Sequence, residues 1–484
     1  QDVMGATRFV YLDENAGKTV APYMSQQLET GSDFIGADKD IPEDEVECKL
    51  PLEEMRMLKE EQEELDSRSP ETEAIAPMVT PADLLNVGDV LLNLNGAGSD
   101  ENKSYRAAMT LHSIRETDMF ELFSSQVENK KLIEELMGKY VDKEGNAYYQ
   151  AADETPIRRR ILKVSPVGET KVLAGEAGIN QATFSQDFSY FLNVYSSSSV
   201  APQYTIRSSK DGKIQRTLED NKDLTARLAK YNYLPKEFIQ LEIGKGITLN
   251  GWMQKPVNFD PNKKYPLLMV QYSGPDSQEV LDKFEIDWEF ALAQEGYIVA
   301  CVDGRGTGAR GREWRKCTYL NLGILESDDQ IAAAKAFGKY SYIDASRIGI
   351  WGWSFGGYMT LLSLCRGEGT FKAGVAIAPV TDWRFYDSIY TERYLRTPQE
   401  NPEGYRKGAP LALADRLKGN LLIIHGSADD NVHLQNTMDF TEKLVQSDVP
   451  FEMAVYTDRD HGIYGGNTRY HLFSRIVSYL KKNL

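Results

Sequence analysis

The chain has 484 residues, of which 41% are hydrophobic and 26% are charged, and its formal net charge is −17. A chain of this length is long enough to bury a substantial core and to form two or three domains. The acidic balance argues against nucleic acid as a partner, because nucleic acids are bound through lysine and arginine side chains.

The negative charge is concentrated in the first hundred residues. Residues 1–100 contain 23 acidic and 7 basic side chains, which is a net charge of −16. Residues 53–65 have helical spacing, which indicates a solvated amphipathic helix or a partly disordered segment. An acidic funnel that attracts peptide N-termini is an alternative. We treat residues 1–130 as an acidic N-terminal region of unassigned fold.

Short strands are predicted in the next part of the chain. Residues 145–151 and 182–195 alternate between apolar and polar side chains, as half-buried strands do. The dipeptide Asp211-Gly212 is typical of a tight hairpin turn. These features predict antiparallel strands between residues 131 and 235.

From residue 236 onward, apolar runs alternate with helical patterns. Strands are predicted at residues 265–272, 297–302, 373–378, 421–425 and 451–456, and helices near residues 279–295, 327–340, 355–365, 432–447 and 470–482. This alternation predicts a single α/β domain over residues 236–484, with a doubly wound, mostly parallel sheet.

The segment Gly352-Trp353-Ser354-Phe355-Gly356 has G-x-S-x-G spacing. A short apolar strand pattern precedes it and a buried-helix pattern follows it. In the α/β-hydrolase fold, this combination forms the nucleophile elbow, a sharp strand-to-helix turn that exposes a serine hydroxyl. We therefore predict Ser354 as a nucleophile, with the backbone N–H of Phe355 in an oxyanion hole.

An elbow serine needs a carboxylate and then a histidine later in the chain. His461 lies in a polar loop at the carboxyl end of a strand, where α/β sheets present catalytic groups, and we predict it as the base. Asp429 and Asp430 both follow strand 421–425, and the residues alone barely separate them. We favour Asp429 and interpret Asp430 as the cap of a helix that begins near residue 432.

The other histidines are predicted to be structural. His425 lies on the buried strand and is interpreted as a hydrogen-bonded core residue. His433 and His471 fall in helical patterns, and His112 lies far upstream of the serine.

Three segments together resemble the prolyl oligopeptidase family of serine peptidases: Gly-Trp-Ser-Phe-Gly-Gly-Tyr, His-Gly-Ser-Ala-Asp-Asp-Asn-Val-His and Asp-His-Gly-Ile. Residues 382–394 are similar to the dipeptidyl-peptidase IV branch of that family. The resemblance runs from about residue 237 to the end of the chain. It implies that Ser354 is the nucleophile, Asp429 the orienting acid and His461 the base, with no cofactor and no metal.

The resemblance also implies a substrate pocket. Tyr272 would donate its hydroxyl to the oxyanion hole beside the Phe355 amide, and Asn431 would bind a substrate carbonyl. A flat aromatic pocket for a proline ring would be formed by Val380, Trp383, Tyr386, Tyr390 and Val432. The alternatives are a tyrosine that merely closes a strand and tyrosines that serve ordinary helix packing. Phe355 stands where tyrosine is frequent in the family.

Family members carry a β-propeller ahead of the hydrolase. Residues 131–235 are compatible with its terminal blades, but a full propeller needs around 300 residues. Only about 235 residues precede the hydrolase, and residues 1–130 show no blade repeat. We therefore expect a partial propeller-like region.

The function implied is that of a serine exopeptidase that releases N-terminal dipeptides ending in proline or alanine. A prolyl tripeptidyl peptidase and an acyl-peptide hydrolase or esterase on the same fold are alternatives, because no glutamate pair that binds a substrate N-terminus can be matched. A catalytically inactive binding scaffold is the alternative of another class.

Four cysteines are too few and too scattered for a disulfide framework or a zinc site. No apolar stretch reaches the roughly 20 residues that span a bilayer. The resemblance implies a secreted, periplasmic or cell-surface location and a homodimer. Because the chain begins with Gln1, we expect a processed chain or a fragment.

Overall fold

A computed structural model describes residues 11–12, 19–20, 79–92, 94–115, 120, 123–124, 133 and 141–484. The chain divides into two compact units, Gln1–Ile75 and Ala76–Leu484. In the first unit, strands β1 (Tyr11–Leu12) and β2 (Thr19–Val20) pair antiparallel. The helix predicted at residues 53–65 lies outside the described residues. The three-domain division of the sequence stays a prediction.

The second unit begins with two capped helices, α1 (Pro81–Leu91) and α2 (Glu101–Ser113). Thr80 and Asp83 form a reciprocal capping box at the start of α1, and Asp100 accepts two backbone N–H bonds at the start of α2. Such caps satisfy the amide groups that have no intrahelical acceptor. A short 3-10 helix, Leu94–Ser99, connects the two helices.

An antiparallel sheet of seven strands follows. Its order is β3-β4-β6-β7-β8-β9, with β5 paired to the edge of β4 that lies opposite β3, and only the β4–β6 contact is parallel. Gly212 has a φ of 77° in the β8–β9 turn, which confirms the predicted hairpin. The strands are β3 (Ala147–Ala152), β4 (Arg159–Val164), β5 (Thr170–Ala174), β6 (Ile179–Phe184), β7 (Tyr190–Ser197), β8 (Val200–Ser208) and β9 (Ile214–Glu219).

Helix α3 (Lys222–Leu228) leads into an eight-stranded sheet of order β10-β11-β13-β12-β14-β15-β16-β17. Strand β11 pairs antiparallel with β10 and with β13, and the six strands β12 to β17 form a continuous parallel series, as predicted. The strands are β10 (Glu237–Gly244), β11 (Ile247–Gln254), β12 (Tyr265–Val270), β13 (Ile298–Asp303), β14 (Ile343–Trp353), β15 (Ala373–Ile377), β16 (Asn420–Gly426) and β17 (Glu452–Tyr456).

Helices cover both faces of this sheet, which makes it doubly wound. One apolar core lies under α6, α7 and α10, and a second lies under α4 and α11. The helices are α4 (Trp288–Gln294), α5 (Arg312–Lys316), α6 (Ile324–Phe337), α7 (Phe355–Arg366), α8 (Ser388–Leu395), α9 (Pro402–Lys407), α10 (Gln435–Gln446) and α11 (Thr468–Asn483). Among the described residues, no helix is both long and apolar enough to span a bilayer.

The helix predicted from residue 279 begins only at Trp288. The preceding loop is held by contacts to distant parts of the chain. Backbone N–H groups of Glu279 and Val280 donate to the buried Asp303 carboxylate at 3.0 and 2.9 Å. Asp282 accepts from Arg158 and from the Ser198 amide, each at 2.9 Å, and so fastens the loop to the antiparallel sheet.

Candidate active site

Ser354 occupies a strained turn between β14 and α7. Its φ is 59° and its ψ is −117°, a conformation that non-glycine residues rarely adopt. The glycines on either side permit it. A Cβ on Gly352 would lie 2.5 Å from the Gly356 carbonyl carbon, and one on Gly356 would lie 2.6 Å from the Gln271 carbonyl oxygen. The predicted strand-turn-helix geometry is therefore present.

Asp429 lies in the turn after β16 and contacts His461. The Nδ1 atom of His461 is 2.7 Å from Oδ2 of Asp429, while Oδ1 accepts the backbone N–H groups of Asn431 and Val432 at 3.0 and 2.9 Å. The neighbouring Asp430 is exposed. The geometry thus pairs His461 with Asp429, the aspartate that we favoured.

The predicted capping role of Asp430 is wrong. Helix α10 starts at Gln435, and its N-cap residue is Leu434, which makes no side-chain capping bond. His433 accordingly lies before the helix and not within it. The Asp429 side chain ties down the amides of this segment, which keeps residues 429–432 in a turn.

A second histidine contacts the same carboxylate. His425 is buried on β16, and its Nε2 lies 3.2 Å from Asp429 Oδ2 and 2.7 Å from the Val432 carbonyl. Its Nδ1 lies 2.8 Å from Thr437 Oγ1. Two acceptors facing Nε2 place the proton on that nitrogen. Burial opposes ionisation of Asp429, but the hydrogen bonds from His425 and His461 outweigh it and hold its pKa well below the usual range.

Tyr272 follows β12 and reaches the elbow. Its ring centroid lies 5.9 Å from that of Phe355, and its hydroxyl interacts with the Ser354 side chain. Burial and the Glu279 carboxylate raise the pKa of Tyr272, so its hydroxyl keeps its proton. The Phe355 amide is at the first position of α7, where an N–H group has no intrahelical acceptor. Two donors are thus available near Ser354.

The residues predicted to form a pocket lie in one apolar cluster. Trp383 stacks on Tyr390 with ring centroids 5.9 Å apart, and Tyr386 meets Tyr390 edge-on at 5.3 Å. Val380 and Val432 are buried in the same cluster, together with Phe355. The Tyr386 hydroxyl donates to Asn431 Oδ1 at 2.8 Å, which orients the amide nitrogen of Asn431 away from the tyrosine.

Two residues of the site were not predicted in these roles. Tyr358 is fully buried behind the pocket, where its ring meets Trp383 edge-on at 5.0 Å. Its position in α7, four residues after Ser354, was the available signal. His425 was predicted to be a core residue, but its contact with Asp429 was not. Within the described residues, no cluster of three or more His, Cys, Asp or Glu side chains is arranged to hold a metal ion.

Two family models match the chain. One, described as the prolyl oligopeptidase family, covers residues 284–484 and therefore contains the elbow, both aspartates and His461. The other is described as a domain of unknown function and covers residues 1–170, which include β3 and β4.

Curated relatives are named probable dipeptidyl-aminopeptidase B. The protein of Neurospora crassa is 45% identical over 343 residues, which are 69% of this chain and 37% of the relative. The protein of Aspergillus terreus is 43% identical over 345 residues, which are 69% of this chain and 38% of the relative. The chain thus spans less than half the length of these relatives.

Two solved structures are similar over the same region. Dipeptidyl peptidase 4 of Porphyromonas gingivalis is 58% identical with a TM-score of 0.70, covering 71% of this chain and 49% of that chain. A putative dipeptidyl aminopeptidase IV of Bacteroides ovatus is 31% identical with a TM-score of 0.64, covering 70% and 48%. Residues 284–484 therefore form a domain of the prolyl oligopeptidase family, and the relatives place this domain in the dipeptidyl-peptidase IV branch.

Proposed function

We propose that this chain is a serine exopeptidase that releases N-terminal dipeptides ending in proline or alanine through an acyl-enzyme on Ser354. The observation that carries the proposal is the 2.7 Å contact between His461 and Asp429. The His461 loop is attached to the elbow, because the Trp353 indole N–H donates to the His461 carbonyl at 3.0 Å. A nucleophile, a base and an orienting acid are then available for acyl transfer.

The Asp429 carboxylate can only accept a hydrogen bond, so the Nδ1 proton of His461 points to it and Nε2 is left as the base. His461 takes the proton of Ser354, whose oxygen attacks the substrate carbonyl. The Phe355 amide and the Tyr272 hydroxyl donate to the oxygen that becomes negative. His461 then protonates the departing amine, and water releases the acyl group by the same route.

The aromatic pocket supports selectivity for proline or alanine at the cleaved bond. The faces of Trp383, Tyr386 and Tyr390 offer apolar contact to a compact ring, and proline has no N–H group that the pocket would leave unsatisfied. We assign Asn431 to the carbonyl of the preceding substrate residue, because its amide nitrogen is free of the Tyr386 hydrogen bond.

The test is turnover of the chromogenic amides of Gly-Pro, Ala-Ala-Pro and N-blocked Gly-Pro, with Ser354→Ala as the inactive control. We expect cleavage of Gly-Pro and none of its blocked form. Equal cleavage of the blocked substrate would exclude an exopeptidase. Cleavage of Ala-Ala-Pro alone would indicate tripeptide release, and a folded protein without any turnover would indicate a binding scaffold.

The proposal extends to location and assembly, with peptides as the substrates and no nucleic acid as a partner. A secreted, periplasmic or cell-surface location and a homodimer are what the family resemblance implies. Fractionation of the producing cells and light scattering of the purified protein test these two points.

A further inference from the structure

Arg469, in the first turn of α11, is held among aromatic rings next to the proposed nucleophile. Its Cζ lies 3.9 Å from the ring centroid of Tyr464, 4.6 Å from that of Trp353 and 5.7 Å from that of Phe473. Trp353 immediately precedes Ser354. A planar guanidinium stacks on aromatic faces in a way that a lysine does not reproduce. The position of this cation is therefore fixed relative to the elbow.

The guanidinium of Arg469 has no counter-ion in the part of the chain that the structure describes. Its Nε–H is buried and has no acceptor there. Cation–π contacts stabilise the charge, but they leave the hydrogen-bond donors unused, and a buried donor without an acceptor is unfavourable. Because Nε is closed to solvent, an anionic group from outside the chain would bind the terminal nitrogens of the guanidinium.

The proposed reaction indicates which part of a substrate could supply an anionic group to Arg469. His461 must hand a proton to the departing amine, so that amine lies within hydrogen-bond reach of His461. Trp353 donates to the His461 carbonyl, and Arg469 stacks on Trp353. A departing peptide that leaves along the Trp353 ring would therefore reach Arg469. Tyr464, which is 64% exposed, extends the same surface.

We propose that Arg469 binds an acidic side chain at the second residue of the departing peptide and so favours substrates that carry one. This inference rests on the proposed function. An extended chain advances about 3.5 Å per residue, so the second residue lies about 7 Å beyond the cleaved bond, past the Trp353 ring. The Trp353 ring also borders a cavity that is lined by Glu279, Glu285 and Glu289. If the second residue of the departing peptide bound in that cavity, a lysine side chain would be favoured instead. The two sites predict opposite charge preferences.

The test compares peptides Gly-Pro-Ala-Xaa-NH2 in which Xaa is Glu, Gln or Lys. The terminal amide removes the competing carboxylate. We expect kcat/KM for the Glu peptide to exceed that for the Gln peptide about fivefold, as for a partly exposed ion pair, and the Lys peptide to be slowest. In Arg469→Gln, the kcat/KM values of the Glu and Gln peptides should become equal. Arg469→Lys keeps the charge without the aromatic stacking and should retain part of the preference for the Glu peptide. Arg475→Gln removes an exposed charge from the same helix and should preserve the ratio.

Equal rates for the three peptides, a preference for lysine, or a glutamate preference that survives Arg469→Gln would each overturn the proposal. Hydrolysis of the Gly-Pro chromogenic amide, which has no departing residue, reports the proposed function separately. If that activity is absent, calorimetric binding of the same peptides to Ser354→Ala decides the matter. Tighter binding of the Glu peptide, lost when Arg469→Gln is added, supports the proposal, and equal binding contradicts it.

Discussion

The Nδ1 atom of His461 and the Oδ2 atom of Asp429 lie 2.7 Å apart, and the Asp429 side chain is completely buried. Because Asp429 has a depressed pKa in the folded chain, its ionised form stabilises the fold at pH values above its ordinary pKa. That contribution is lost as the pH falls toward the folded-state value. Asp429 therefore stays ionised throughout the range in which the enzyme would work.

Asp429→Asn should lower kcat/KM for the Gly-Pro amide by about 10³- to 10⁴-fold, because an amide N–H would oppose the Nδ1 proton of His461 and favour the wrong tautomer. Asp430→Asn is the matched control and should stay within about twofold of the parent. Comparable losses in both variants would contradict the assignment. The stability advantage of the parent over Asp429→Asn should shrink below about pH 5, as measured by thermal unfolding across pH.

We expect His425 to contribute both to the stability of the fold and, through its contact with Asp429, to kcat. His425→Phe would leave Val432 and Thr437 without their hydrogen-bond partner, which should cost about 1–3 kcal/mol of unfolding free energy and lower kcat. His425→Gln can keep one donor and should recover part of both. Urea unfolding and kcat measured on the same samples check this. An unchanged kcat in folded His425→Phe would show that the contact with Asp429 is dispensable.

Tyr386→Phe should raise KM about three- to tenfold with little change in kcat, because it frees the Asn431 amide to rotate. The control is Tyr394→Phe, which also removes a hydroxyl from this cluster. The Tyr394 hydroxyl makes no hydrogen bond to another described residue. Steady-state kinetics with Gly-Pro amides distinguish the two. A loss of kcat at constant KM would mean that Tyr386 contributes to the chemical step and not to binding.

Gly352→Ala should destabilise the domain by about 3 kcal/mol, since its Cβ would collide with the Gly356 carbonyl at 2.5 Å. Gly88→Ala has open space around it within α1 and should be neutral or stabilising by up to about 1 kcal/mol. Denaturation monitored by tryptophan fluorescence compares them. Equal midpoints for the two variants would argue against the close approach of backbones at the elbow.

Features that depend on neighbouring residues in the chain could be predicted from the sequence. The apolar runs of β12 to β17 and the glycine spacing around Ser354 are of this kind, and so is the chain order that links Ser354 to Asp429 and His461. The helix predicted at residues 279–295 failed at its start because Asp282 and Asp303 hold the loop by long-range contacts. Periodicity contains no information about such partners.

The failures within the site have the same origin. Asp430 was predicted to cap a helix. The amides of Asn431 and Val432 instead donate to Asp429, and the helix begins only at Gln435. The proximity of His425 to Asp429 requires the pairing of β16 with its neighbours, and the stack on Arg469 joins residues more than 100 positions apart. A single sequence does not reveal these distances.

The attachment of Asp282 to the antiparallel sheet has a mechanical meaning. The loop between Tyr272 and α4 is fixed at one end beside the elbow and in its middle to Arg158 and Ser198. A displacement of the antiparallel sheet would therefore be transmitted to the backbone that carries the Tyr272 hydroxyl. Two further contacts, from Gln278 to the Pro156 carbonyl and from the Phe284 amide to Ser196, reinforce this attachment. The antiparallel sheet and the oxyanion donor proposed at Tyr272 are thus mechanically coupled through one loop.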